Sequence, residues 1–175
     1  MAAKSSAAAA APIAREILFT RLFNAPRELV WKAFTERERL ARWWGMKGFT
    51  TQIRELDLRP GGTFLYSMRM PDGREMLGKW IYREIVAPEL LVVVHFTTDD
   101  TGEPIPNPYD ASLPPEMLTT SSFTEQAGRT TLTLRSVPIN ETRAQREAFN
   151  KLADAMESGF NNSLDLLDLY LAKTH

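Results

Sequence analysis

At 175 residues, 43% hydrophobic and 25% charged, the chain is long enough to close one domain around a core and to bury about 70% of the surface its unfolded form exposes. A formal charge of −1 offers no field to phosphates or acidic membranes, which excludes nucleic acid as a partner class. The absence of cysteine removes disulfides, thiolate nucleophiles and thiolate metal sites, and points to a reducing compartment such as the cytoplasm.

The first fourteen residues are rich in alanine, lack the bulky apolar residues of a signal peptide and read as a tail before a single domain over 15–173. No run approaches the ~18 apolar residues needed to span a bilayer. From Arg15 to Asn24, Ile17, Phe19, Arg21 and Phe23 alternate with their neighbours as in a strand. Pro26 presets φ for a first helical turn, and Leu29, Val30, Ala33 and Phe34 recur at helical spacing. A second charged turn leads to Leu40, Trp43 and Trp44, and Gly45 stops it by tolerating positive φ.

Strand patterns then follow over 49–58, 63–70 and 76–86, separated by the turn residues Arg59 to Gly62 and the Asp72, Gly73 pair. A fifth strand is expected over 91–97, where β-branched residues concentrate. Residues 99–115 contain five prolines and read as a long loop, either a gate or a fixed rim. Strands over 117–125 and 129–136 flank the turn at Gln126 to Gly128. From Asn140, a candidate N-cap, Phe149, Leu152, Met156, Phe160, Leu164, Leu167 and Leu171 step by three or four along one long helix.

The order is strand, two short helices, an antiparallel meander and a long amphipathic helix, an α+β arrangement. The final helix has the only apolar stripe long enough to cover the sheet's apolar face, so the sheet is expected to curl around it. Alternation then assigns an inward set: Phe64, Tyr66, Met68 and Met70; Gly78, Trp80 and Tyr82; Leu91, Val93 and His95; Met117, Thr119, Ser121 and Phe123; Leu132, Leu134 and Ser136. Polar groups among these apolar ones favour a cavity over a dry core, because a buried hydroxyl or imidazole without a partner costs roughly 1–3 kcal/mol. Expected to face a bound molecule are Trp44, Phe64, Tyr66, Met68, Trp80, Tyr82, Val93, His95, Thr119, Ser121, Phe123, Met156 and Phe160.

Sharper chemistry finds little support. With only His95 and His175, a hydrolytic triad has one candidate base, and no nucleophile-elbow motif accompanies Ser121. No histidine pair has metal-ligand spacing, so neither a metal nor a cofactor is expected. Asp154, Glu157, Asp165 and Asp168 read as the solvated face of the last helix. The sheet's outer edges are a candidate homodimer contact.

The stretches APRELVWKAFTERERLARWWG, LDLRPGGTFLYSMRMPDG, YREIVAPELLVV, GRTTLTL and MESGFNNSLDLLDLYL together resemble the activator-of-heat-shock-ATPase-like family of the START-related, birch-pollen-allergen-like (SRPBCC) superfamily. The resemblance covers about Arg15 to Lys173. It implies a helix-grip fold with a deep pocket for apolar or amphipathic small molecules. Gly159-Phe160 and Ser136 stand where many members carry Gly-Trp and histidine, which alters the pocket floor. The family includes small-molecule binders, some cyclases and dehydratases, stress-related proteins and chaperone regulators. Binding of a small apolar or amphipathic ligand is the leading expectation. A cofactor-free acid–base enzyme using His95 with Tyr66 or Tyr82 comes second, and a domain acting on a chaperone ATPase third.

Overall fold

The computed structural model describes residues 13, 15–108 and 110–174, so the expected tail lies outside the described residues except for Ile13. The elements run β1 (Ile17–Phe23), α1 (Arg27–Thr35), α2 (Arg37–Trp43), β2 (Thr50–Leu56), β3 (Thr63–Arg69), β4 (Glu75–Val86), β5 (Leu90–Thr98), β6 (Glu116–Gln126), β7 (Arg129–Ile139) and α3 (Arg143–Thr174). Seven antiparallel strands form one sheet in the order β1-β7-β6-β5-β4-β3-β2. β2 through β7 are antiparallel neighbours in sequence order, with the long loop connecting β5 to β6, and β1 pairs with β7. Register shifts at Ile53/Glu55 and Tyr82/Glu84 put bulges in β2 and β4, which add twist and curl that end of the sheet. This is the α+β helix-grip arrangement.

Several boundaries move. Pro26 sits outside α1 as its extended N-cap, with φ −66° and ψ 151°. β2 starts and ends inside the expected 49–58, and β7 runs on to Ile139 through Pro138, which lies opposite Met117. Asn140 does not cap α3; it takes φ 57°, a turn conformation that asparagine tolerates. The cap is Thr142, whose Oγ1 accepts from Gln145 N at 3.2 Å while Gln145 Oε1 accepts from Thr142 N at 2.8 Å, a capping box. Leu152, expected in the apolar stripe, is exposed at 37%.

Apolar packing of β1 and α3 in one core is joined by ion pairs along their contact. Arg21, on the inward phase of β1, ion-pairs with Asp165 at 2.6 Å and with Asp168, and donates to the Asn161 carbonyl. Arg15 pairs with Asp154. Three of the carboxylates read as a solvated face, Asp154, Asp165 and Asp168, keep exposed side chains as expected and also form ion pairs with arginines of the N-terminal segment. At the other edge Arg37 of α2 donates to the Ile53 and Arg54 carbonyls of β2, occupying acceptors that an outside strand would need.

Candidate functional site

The site is built from two glycine-dependent contacts outward. Trp44 ends α2, and its carbonyl accepts from Thr51 Oγ1 at 2.5 Å, which ties the helix end to β2. Gly45 follows at φ 139°, and a Cβ there would sit 2.6 Å from the same Thr51 oxygen, so only glycine lets the chain turn away and leave Trp44 facing the sheet. Trp44 meets Trp80 at 4.8 Å and Tyr66 at 5.8 Å between ring centroids, both nearly perpendicular. Across from Tyr66 in the register is Gly78, and a Cβ built on it would lie 2.3 Å from the Tyr66 ring. The ring therefore lies flat over the gap the glycine leaves, an arrangement that fixes one wall.

Between this wall, β5 to β7 and the middle of α3 lies a cavity of about 280 Å³. Trp44, Tyr66, Met68, Trp80, Val93, His95, Thr119, Ser121, Met156 and Phe160 all line it, as does Leu134 of β7. Phe64, Tyr82 and Phe123, expected with them, do not. Phe64 packs behind the wall against Trp44, Tyr66 and Trp80. Phe123 lies at the end of the sheet covered by α1, edge-on to Trp31 and Phe34. Tyr82 is fully buried beside the β4 bulge, where its backbone bonds to Gly61 and Gly62. Its hydroxyl has no partner among the described residues, and burial raises its pKa.

The sequence reading also missed lining residues. Asn107, Leu113, Pro114 and Pro115 of the long loop reach the cavity, as do Met46 and Ser163. No periodicity marks a loop residue as inward. Met76 was within reach, since it continues the phase of Gly78 and Trp80. The start of the loop is fixed by Thr98 Oγ1 donating to the Glu103 carbonyl at 2.9 Å and Ile105 N to the Thr97 carbonyl at 3.0 Å.

One polar chain crosses the sheet beneath the cavity. His95 Nε2 lies 2.9 Å from Thr119 Oγ1, which lies 2.7 Å from Ser136 Oγ. Ser136 is fully buried. His95 is half-buried and lines the cavity, and burial pushes its pKa down to about 4 from 6.5. The imidazole is neutral at physiological pH. Trp44 Nε1 is a buried donor with no hydrogen-bond partner among the described residues. The cavity lining holds no Asp, Glu, Lys or Arg among the described residues. No group of three His, Asp or Glu side chains among them could hold a metal ion.

A family model for activator of Hsp90 ATPase homolog 1-like proteins matches residues 24–172. The chain belongs to that family. Solved structures agree on the fold of this family member. A protein from Staphylococcus epidermidis is 25% identical with a TM-score of 0.73, covering 94% of this chain and 93% of its own. One from Arthrobacter aurescens is 24% identical at 0.77, covering 91% and 87%. Protein Ms6760 from Mycobacterium smegmatis is 24% identical at 0.73, covering 91% and 92%. No curated protein matches the sequence significantly. No helix among the described residues is long and apolar enough to cross a membrane.

Proposed function

We propose that this protein binds a small, largely apolar molecule between its sheet and α3. The observation that carries the reading is the cavity itself: an open space walled by aromatic and aliphatic side chains, with a few hydroxyls and one neutral imidazole. Its size, about 280 Å³, is near the lower end of ordinary ligand pockets. Aromatic rings do not fill it, and Ser121 borders it at 5% exposure instead of turning to bulk solvent.

An acid–base enzyme in the same cavity is less well supported, because a histidine titrating near 4 is mostly deprotonated at neutral pH yet is a weak base there. Action on a chaperone ATPase rests on the family description alone.

The test is thermal unfolding with butylbenzene and a panel of similar apolar compounds. At a ligand concentration of 100 Kd the native state gains roughly 2.7 kcal/mol, and the midpoint rises accordingly. Met156→Trp places an indole in the space from α3 and is expected to abolish the shift while circular dichroism stays native. A wild-type midpoint that moves with no compound in the panel refutes the reading.

A further inference from the structure

The polar end of the cavity selects among apolar guests. Ser136 Oγ is buried in β7, and Thr119 Oγ1 is its one hydrogen-bond partner among the described residues. Its proton therefore has one destination, and Thr119 accepts it. The Thr119 proton then goes to His95 Nε2, 2.9 Å away. Nε2 acts as acceptor, so the neutral ring carries its proton on Nδ1. With Nε2 as donor to Thr119, either the Ser136 proton or the Thr119 proton is left without an acceptor among the described residues, the arrangement that folded proteins avoid. Nδ1 has no hydrogen-bond partner among the described residues and, unlike Trp44 Nε1, is not sealed off; it belongs to a ring that lines the cavity. The chain of hydroxyls thus aims one N–H donor into an apolar space.

We infer that the bound molecule is uncharged and presents a hydrogen-bond-accepting oxygen, of ketone, ester or ether type, to His95 Nδ1. The inference rests on the binding reading above. A carboxylate is rejected for two reasons. No cationic side chain among the described residues lines the cavity to offset its desolvation. Protonating His95 to meet it would put a second donor at Nε2 and strand either the Ser136 or the Thr119 proton. An ammonium group fares no better, because Nδ1 offers it a donor and no carboxylate among the described residues lines the space.

Three probes with one phenylalkyl body separate the outcomes: butylbenzene, 4-phenyl-2-butanone and 3-phenylpropanoate, titrated by calorimetry at pH 7.5 against wild type and His95→Phe. The ketone is expected to bind wild type at least about tenfold more tightly than the carboxylate. In His95→Phe the ketone weakens roughly three- to tenfold, the worth of one net hydrogen bond, while butylbenzene holds or gains. Butylbenzene binding to wild type with a ketone affinity untouched by the substitution, or a carboxylate binding as well as the ketone, overturns the inference alone. If none of the three binds wild type, the cavity reading falls and the inference with it. Nitrogen-15 NMR of wild-type His95 tests the relay without a variant: the Nδ1–H tautomer is expected, and the Nε2–H tautomer refutes it.

Discussion

A neutral histidine held neutral by burial is a pH sensor for the folded state. His95 titrates near 4 when folded and near 6.5 when unfolded, so between those values the unfolded chain binds more protons and stability falls as pH falls. The contribution is complete above 6.5 and is lost progressively down to about 4, amounting to about 3 kcal/mol. His95→Gln keeps a polar partner for Thr119 and removes the titration. Urea unfolding at pH 7.5 and 4.5 is expected to show wild type losing some 2–3 kcal/mol more than the variant over that interval. Equal losses would show that His95 is solvated. Ten of the thirteen residues expected at the site line the cavity; seven of them lie on β3 to β6, where alternation makes the inward phase readable, and Trp44, Met156 and Phe160 come from the end of α2 and the apolar stripe of α3. Phe64, Tyr82 and Phe123 share that phase, but depth along the sheet is not a local property. Where α1 lies over Phe123, or a bulge turns the strand at Tyr82, an inward residue becomes core. The Thr119 to Ser136 contact is similarly invisible until the register pairs them.

Two glycines in different elements are expected to respond in opposite directions to the same methyl group. Gly78 in β4 has the Tyr66 ring 2.3 Å from where a Cβ would stand, so Gly78→Ala displaces a ring that forms the cavity wall. Overpacking of this kind costs roughly 1–3 kcal/mol, and ligand affinity is expected to fall with it. Gly159 lies inside α3 with nothing within 4 Å of its missing Cβ, so Gly159→Ala gains about 0.5–1 kcal/mol by restricting the unfolded chain. Chemical denaturation of both variants decides the signs; stabilisation by Gly78→Ala would mean that the ring is not seated over the glycine. Elements were more legible than their ends. The hairpins announced themselves through Asp72 and Gly73 and through Gly61 and Gly62, residues with few other uses between two alternating runs. The start of α3 was misplaced because Asn140 and Thr142 are both N-cap residues, and only Gln145, three positions after Thr142, distinguishes them. Arg21 sits 147 residues from Asp168, and no periodicity could pair an inward arginine on a strand with an acidic stripe that far along the chain.

At the scale of the molecule, α3 is a beam held at both ends over a hollow. Its first part is fixed by Arg15 to Asp154 and by the buried Phe149 and Ala153, its last part by Arg21 and the buried Leu164, Leu167 and Leu171. Between Ala153 and Leu164 no residue is fully buried, and this span contributes Met156, Phe160 and Ser163 to the cavity and contains Gly159. A helix segment with few buried contacts opens locally at lower cost than the flanks that anchor it. A guest in the cavity supplies the missing contacts on one side, so binding and the closing of this span are linked. Opening that releases the guest is suppressed by one plus the ratio of free ligand concentration to Kd, about elevenfold at ten times Kd. Amide hydrogen exchange with and without butylbenzene is expected to show slowing concentrated in 156–163. Sheet amides that exchange by local fluctuations leaving the cavity closed are expected to change less, because those openings do not release the guest. Uniform slowing across the sheet and α3 would place the linkage in global unfolding. An unchanged helix centre at saturating ligand would mean that the guest does not touch α3.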